Sequence, residues 1–139
     1  MNLDQCINFL LTGAQHKVFQ ELKKELEQYD LTPIQYGVLK CIWQLDLHTP
    51  KEIAEYLSIE NSTISGILDR MEKKELIERK IDRDDRRFVY IDLTQTGKDL
   101  ETPVNKTIEE FNKSVLSIFT EKETAELRDM LRKLFMSEN

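Results

Sequence analysis

The sequence predicts a mainly α-helical domain with one short β-hairpin near its middle. Three features carry that expectation. Apolar residues recur at steps of three and four through the first and last thirds of the chain, the period shortens to alternation only after Lys74, and the two alternating runs flank a fully charged hexapeptide, Asp82 to Arg87. A chain of 139 residues suits one domain with a core of its own. No apolar run approaches the roughly 20 residues a membrane helix requires, which speaks against a membrane-embedded protein. The segment Met1 to Asp4 lacks the basic stretch of a signal peptide, so the expected location is cytoplasmic.

In the first predicted helix, Leu3 to Tyr29, the residues Leu3, Ile7, Leu10, Leu11, Ala14, Val18, Leu22, Leu26 and Tyr29 share one face. This helix outruns a single small core, so one end is expected to pack on something else. Thr32-Pro33-Ile34-Gln35 starts a second helix to about Leu45: threonine caps, proline suits the first helical position, and glutamine closes a capping box. Thr49-Pro50-Lys51-Glu52 repeats the signal for a short third helix to Leu57. Ser58 to Glu60 forms a tight turn, and Asn61-Ser62-Thr63 opens a fourth helix with Ile64, Ile67, Leu68 and Met71 inward. Two helices joined so closely, the second starting on small polar residues, make a helix-turn-helix.

Leu76 to Ile81 and Phe88 to Leu93 are the two predicted strands, and a hairpin directly after a helix-turn-helix is a wing. Thr94 or Thr96 caps a fifth helix that Pro103 kinks or restarts, and Val104, Ile108, Phe111, Val115, Leu116 and Phe119 continue its apolar stripe. Thr120-Glu121-Lys122-Glu123 is a further capping box, starting a last helix with Leu127, Met130, Leu131, Leu134 and Phe135 on one face. The whole chain, 1–139, therefore reads as one winged helix-turn-helix domain, with its lobe at 32–97 and long helices at 1–29 and 104–136 that carry more apolar surface than the lobe covers.

A net charge of −6 argues against general affinity for nucleic acid, so any DNA-binding surface must be local. Asn61, Ser62, Thr63 and Ser65 are small and polar, as a helix tip approaching base edges requires. Gly66 forfeits about 1 kcal/mol of helix propensity relative to alanine, and close approach of the backbone to DNA is a reason for it. Arg70, one turn on, reaches a phosphate or a guanine. The alternative is that Asn61 and Ser62 only cap the helix. On the hairpin, Arg83, Arg86 and Arg87 suit a minor groove or its phosphates, with Asp85 as an orienting partner; the alternative is a solvated turn of mixed charge. Between Arg70 and Tyr90, eight basic residues stand against six acidic ones, a local excess of +2 opposite in sign to the whole chain.

The run Ser62-Thr63-Ile64-Ser65, Leu68-Asp69-Arg70-Met71-Glu72-Lys73-Lys74, Leu76-Ile77-Glu78-Arg79, Asp82 to Arg87 and Ile91-Asp92-Leu93-Thr94 with Gly97 resembles the MarR family pattern. The resemblance implies a homodimer whose first and last helices intertwine and whose winged lobes address two half-sites of a roughly palindromic operator in double-stranded DNA. It implies a transcriptional repressor, with Arg87 as the wing arginine of the minor groove, Asp85 as its acidic companion and Arg86 near phosphate. Glu75 stands where the family usually places glycine; a left-handed turn kept there costs about 1 kcal/mol.

The signal is expected to be an oxidant or a small ligand. Cys6, in Asp4-Gln5-Cys6-Ile7-Asn8-Phe9, is similar to the N-terminal cysteine region of the organic-hydroperoxide-sensing branch, and a thiol at a helix N-terminus is favoured as the thiolate. The tyrosines of that branch have no recognisable counterpart, and a buried structural thiol is the alternative, as it is for Cys41. The family's other route is a small aromatic ligand between the dimer helices and the lobe, with Phe9, His16, Tyr36 and Trp43 as lining residues or core. No metal-ligand spacing, phosphate loop or nucleophile with a histidine and acid nearby is present, so neither a cofactor nor an enzymatic activity is expected. A winged-helix module that binds protein instead of DNA is the competing function.

Overall fold

Three helix starts in this chain, those at Pro33, Pro50 and Glu121, are set by threonines three residues ahead of a glutamine or glutamate. In the computed structural model, which describes residues 1–85 and 88–138, Thr32 accepts from the Gln35 amide while Gln35 Oε1 accepts from the Thr32 amide. The same reciprocal box joins Thr120 and Glu123, and Thr49 accepts from the Glu52 amide. The elements are α1 (Ile7–Leu26), α2 (Pro33–Leu45), α3 (Pro50–Leu57), α4 (Asn61–Lys73), β1 (Ile77–Ile81), β2 (Val89–Leu93), α5 (Gln95–Asp99), α6 (Glu101–Val115) and α7 (Glu121–Phe135). The expected mainly helical fold with one antiparallel hairpin is the fold found.

One local expectation is corrected. The helix expected to run unbroken over residues 3–29 is divided: Asn2 and Gln5 close a short turn of their own, Cys6 is extended, and α1 starts only at Ile7. Its end relaxes into a tighter turn at Glu27–Tyr29 before left-handed Asp30. The fifth helix is in two pieces, with the restart expected near Pro103. Thr94 caps α5 by accepting from the Gly97 amide, and a break at Leu100 precedes α6, where Pro103 falls in the first turn and needs no intrahelical amide partner.

The chain forms two compact units, Met1–Asn105 and Lys106–Asn139. The core of the first is built from Leu26, Val38, Leu39, Ile53, Leu68, Met71, Ile77 and Ile91, each essentially closed to solvent. These residues come from α1 through β2, so burial of their apolar surface joins the helix-turn-helix to the hairpin. Val104 closes the same unit, and Tyr29 and Lys40 anchor the start of α6 by donating to the Pro103 carbonyl and to Asn105 Oδ1 at 3.1 and 2.8 Å. In the second unit, α7 presents Met130, Leu131, Leu134 and Phe135 to solvent, with Phe135 72% exposed. Among the described residues no helix is long and apolar enough to cross a membrane.

The hairpin pairs Ile77 with Leu93 and Ile81 with Val89 at its two ends, with Arg79 opposite Ile91. The other edge of β2 is covered by the α2–α3 connection, because the Ile91 amide donates to the His48 carbonyl at 2.6 Å.

Four helix ends turn through left-handed residues that are not glycine: Asp30, Asp46, Ser58 and Glu75. At Glu75, where φ is 60°, the Leu76 amide donates to the Met71 carbonyl and the Glu75 amide to the Glu72 carbonyl. These are the paired bonds of a Schellman end, with apolar Leu76 and Met71 both buried. The turn is thus kept without glycine. The glycine that the backbone does demand is Gly97, where a Cβ would collide with the Leu76 carbonyl oxygen.

Candidate nucleic-acid interface

The turn between α3 and α4 is closed by Ser58, at φ 57°, and by the Ile59 amide donating to the Ala54 carbonyl at 2.9 Å. It swings α4 away from α3 while Ile64, Ile67, Leu68 and Met71 stay buried. The opposite face of α4 is polar and open. Asn61, Ser62, Thr63, Ser65 and Arg70 are all exposed. The alternative in which Asn61 or Ser62 caps the helix does not hold: Glu60 occupies the N-cap, no side chain caps α4, and Asn61, Ser62 and Thr63 are its first three helical residues. The first-turn amides therefore present the positive end of the helix dipole to solvent.

Gly66 lies on this face, one turn before Arg70. A Cβ there would touch only the Arg70 guanidinium, at 3.8 and 3.9 Å. Among the described residues no packing forbids a side chain at 66, so the room it leaves belongs to the outer surface and to the arc of Arg70.

A groove of about 690 Å³ runs between the first turn of α3, the exposed side of α4 and the hairpin. Asn61 and Ser65 form one wall, Thr49 and Lys51 another, and Arg79 and Phe88 the third. Glu52 and Glu55 also line it, so the positive potential is local and not spread through the groove.

Arg79 is the residue that sequence reasoning missed. Counted among the eight basic residues of the middle segment, it faces inward: its Nη2 pairs with Asp69 Oδ1 at 2.7 Å and donates to the Ser65 carbonyl at 3.0 Å. Its own backbone amide donates to Glu72 Oε2 at 3.2 Å. Strand parity was the available signal, because Arg79 shares a face with buried Ile77. Lys74 is likewise committed, donating to the Asp30 carbonyl at 2.7 Å and to buried Gln35 at 3.0 Å, and Lys80 pairs with Asp92 at 3.2 Å. The positive charge left to face outward is smaller than the census of residues implied.

At the hairpin tip, the Asp82 amide donates to the Phe88 carbonyl and the Phe88 amide to the Asp85 carbonyl, each at 3.0 Å. Asp82 also turns the chain by accepting from the Asp84 amide at 2.9 Å. Arg83 is exposed and Asp85 half-buried. Arg86 and Arg87, the principal wing residues of the sequence reading, lie outside the described residues.

Cys6 is the N-cap residue of α1 and half-buried, whereas Cys41 is buried and its thiol pKa is pushed up by that burial. Of the suggested ligand-lining residues, Phe9 and His16 are exposed on α1. Tyr36 is half-buried, which raises its phenol pKa, and Trp43 donates its indole N–H to the Gly97 carbonyl at 3.0 Å. Among the described residues no three His, Cys, Asp or Glu side chains are placed to hold a metal ion.

Comparison with known proteins adds to this geometry. Residues 31–89 match the family model of the MarR family. The chain is 33% identical over 97 residues to the organic hydroperoxide resistance transcriptional regulator of Bacillus subtilis, covering 70% of this chain and 66% of that one. It is 28% identical over 138 residues to the HTH-type transcriptional regulator SarZ of Staphylococcus aureus, covering 99% and 90%. Among solved structures, that of the S. aureus MepR–DNA complex matches with a TM-score of 0.83 and 28% identity over 96% of this chain and 98% of that one.

Proposed function

Because the chain belongs to the MarR family of winged-helix transcriptional regulators, we propose that it is a sequence-specific DNA-binding repressor acting as a homodimer on a roughly palindromic operator. The observation that carries this reading is the union of a polar, uncapped α4 with an arginine-bearing hairpin through Arg79. In it, α4 enters a major groove with Asn61, Ser62, Thr63 and Ser65 at base edges, Gly66 permits close approach, and Arg70 anchors a phosphate or guanine. In the same reading Arg83, Arg86 and Arg87 contact the adjacent minor groove, with Asp85 as their orienting partner. A similar protein solved with DNA, MepR, supports the partner. The reading makes the protein a regulator and not an enzyme.

Dimerisation is supported by apolar residues left in contact with water. Ile7, Phe9 and Leu10 on α1 and Met130, Leu134 and Phe135 on α7 are each at least half exposed, and a homodimer of the terminal helices, 1–29 and 104–136, would cover them. Release from DNA is assigned to an oxidant acting at Cys6 or to a small aromatic ligand. The half-buried thiol at a helix N-cap and the similarity to an organic hydroperoxide resistance regulator support the first.

Selection of bound sites from random duplexes, with and without an organic hydroperoxide, tests the reading. Enrichment of a two-fold symmetric site is expected, with log affinity falling against log salt by about 0.9 per phosphate neutralised. An absence of enrichment, or binding indifferent to salt, would overturn it in favour of a protein-binding winged module.

A further inference from the structure

His48 sits in the connection between α2 and α3, against β2. Its carbonyl accepts from the Ile91 amide at 2.6 Å, its ring Nδ1 lies 2.7 Å from the Ile91 carbonyl, and its Nε2 lies 2.6 Å from Asp46 Oδ1. The Tyr90 ring stacks on the imidazole with centroids 4.6 Å apart and planes 5° from parallel. Both ring nitrogens therefore face oxygens that have no proton to give: a peptide carbonyl and a carboxylate. A neutral imidazole carries one N–H and would aim a lone pair at the other oxygen. Only the imidazolium satisfies both contacts.

We propose that His48 is a charged positioning residue of the wing, whose two ring N–H groups clasp β2 to the helix-turn-helix. The functional half of this inference rests on the reading of the hairpin as a DNA-contacting wing. As a strand, β2 has one partner, β1, and its other edge is bonded at Ile91 to His48. The clasp thus fixes where the arginine-bearing tip stands relative to α4. The charged and titratable groups facing the ring are Asp46 from the α2–α3 connection and Asp92 and Tyr90 from β2, with Asp92 itself paired to Lys80. Burial opposes the charge, but the Ile91 carbonyl, the hydrogen bond and charge of Asp46, and the charge of Asp92 outweigh it and raise the His48 pKa above its ordinary value. The sign follows from linkage: the clasp is complete below the ordinary histidine pKa of about 6.5 and is lost as pH rises through the raised value.

The test uses the full-length protein. Proton NMR titration, with the His48 signal assigned by its loss in His48→Gln, should show His48 titrating above the ordinary histidine value of about 6.5, and Asp46→Asn should bring it down. The Ile91 amide should lose exchange protection as His48 deprotonates, beyond the intrinsic pH dependence of exchange. On the selected duplex at fixed ionic strength, wild-type affinity should fall several-fold between about pH 6 and about pH 8.5, across the histidine range. That slope should flatten in both His48→Gln and Asp46→Asn. A His48 that titrates at or below that ordinary value, or parallel pH profiles in wild type and variants, overturns the proposal. If no duplex is bound at any pH, the DNA reading fails by itself, and the titration and Ile91 protection still decide whether the clasp exists.

Discussion

Arg79 on β1 and Asp69 on α4 are joined by a 2.7 Å ion pair, and the same guanidinium holds the Ser65 carbonyl at 3.0 Å. The wing is thereby fastened to the middle of the helix proposed to read DNA. A fork with several donors suits this double attachment, and a lysine, as a point charge, reaches one acceptor well and not both. Arg79→Ala should lower stability by about 1–2 kcal/mol in urea unfolding, since the arginine is three-quarters buried but Asp69 is more than half exposed. Its effect on DNA binding should exceed its effect on stability, and Arg79→Lys should recover the stability more fully than the affinity. Wild-type affinity in a folded Arg79→Ala protein would refute the coupling of wing to helix.

Gly66 and Gly97 should respond to alanine in opposite directions. At Gly66 a Cβ meets only a flexible guanidinium, so Gly66→Ala should stabilise the protein by up to about 1 kcal/mol while weakening operator binding. At Gly97 a Cβ strikes the Leu76 carbonyl, a backbone atom that cannot step aside, and Gly97→Ala should cost roughly 1–3 kcal/mol. Paired thermal and urea melts distinguish them. Destabilisation by Gly66→Ala would mean that its surface is not open.

Glu75 holds a left-handed turn that glycine adopts freely. Glu75→Gly should stabilise the protein by about 1 kcal/mol and leave DNA binding unchanged, because Glu75 lies at the far end of α4 from the polar tip. An unchanged or lowered urea midpoint would show that the glutamate contributes something the turn geometry does not account for.

Arg87→Ala is the direct test of the wing. Operator affinity should drop by about tenfold or more, as for loss of one groove-inserted or phosphate-bound arginine. Size-exclusion chromatography and circular dichroism should show the same folded assembly as wild type. A gel-shift titration with unaltered affinity would remove Arg87 from the interface.

Local chemistry made most of the elements legible in the sequence. Thr32, Thr49, Thr94 and Thr120 each accept from the amide three residues on, so their helices began where the side chains indicated. The alternation of Val89, Ile91 and Leu93 placed β2 to within one residue. What stayed hidden depended on partners distant in the chain or on backbone choices between two permitted states. Arg79, Lys74 and Lys80 read as surface cations because Asp69, Gln35 and Asp92 become their neighbours only after folding. The break at Cys6 was masked because Leu3, Ile7 and Leu10 continue the helical stripe across it. At Glu75 the residue type argued against a left-handed turn, and tertiary packing of Leu76 and Met71 prevailed.

The indole of Trp43, bonded to the Gly97 carbonyl, has a practical consequence. It is the single tryptophan of the chain, and its N–H reports on the junction where α5 meets α2. Tryptophan fluorescence of the unlabelled protein, excited at wavelengths that tyrosine does not absorb, is therefore the emission of one site, and a shift in its wavelength on adding DNA or peroxide would register rearrangement at that junction against a background free of other indoles.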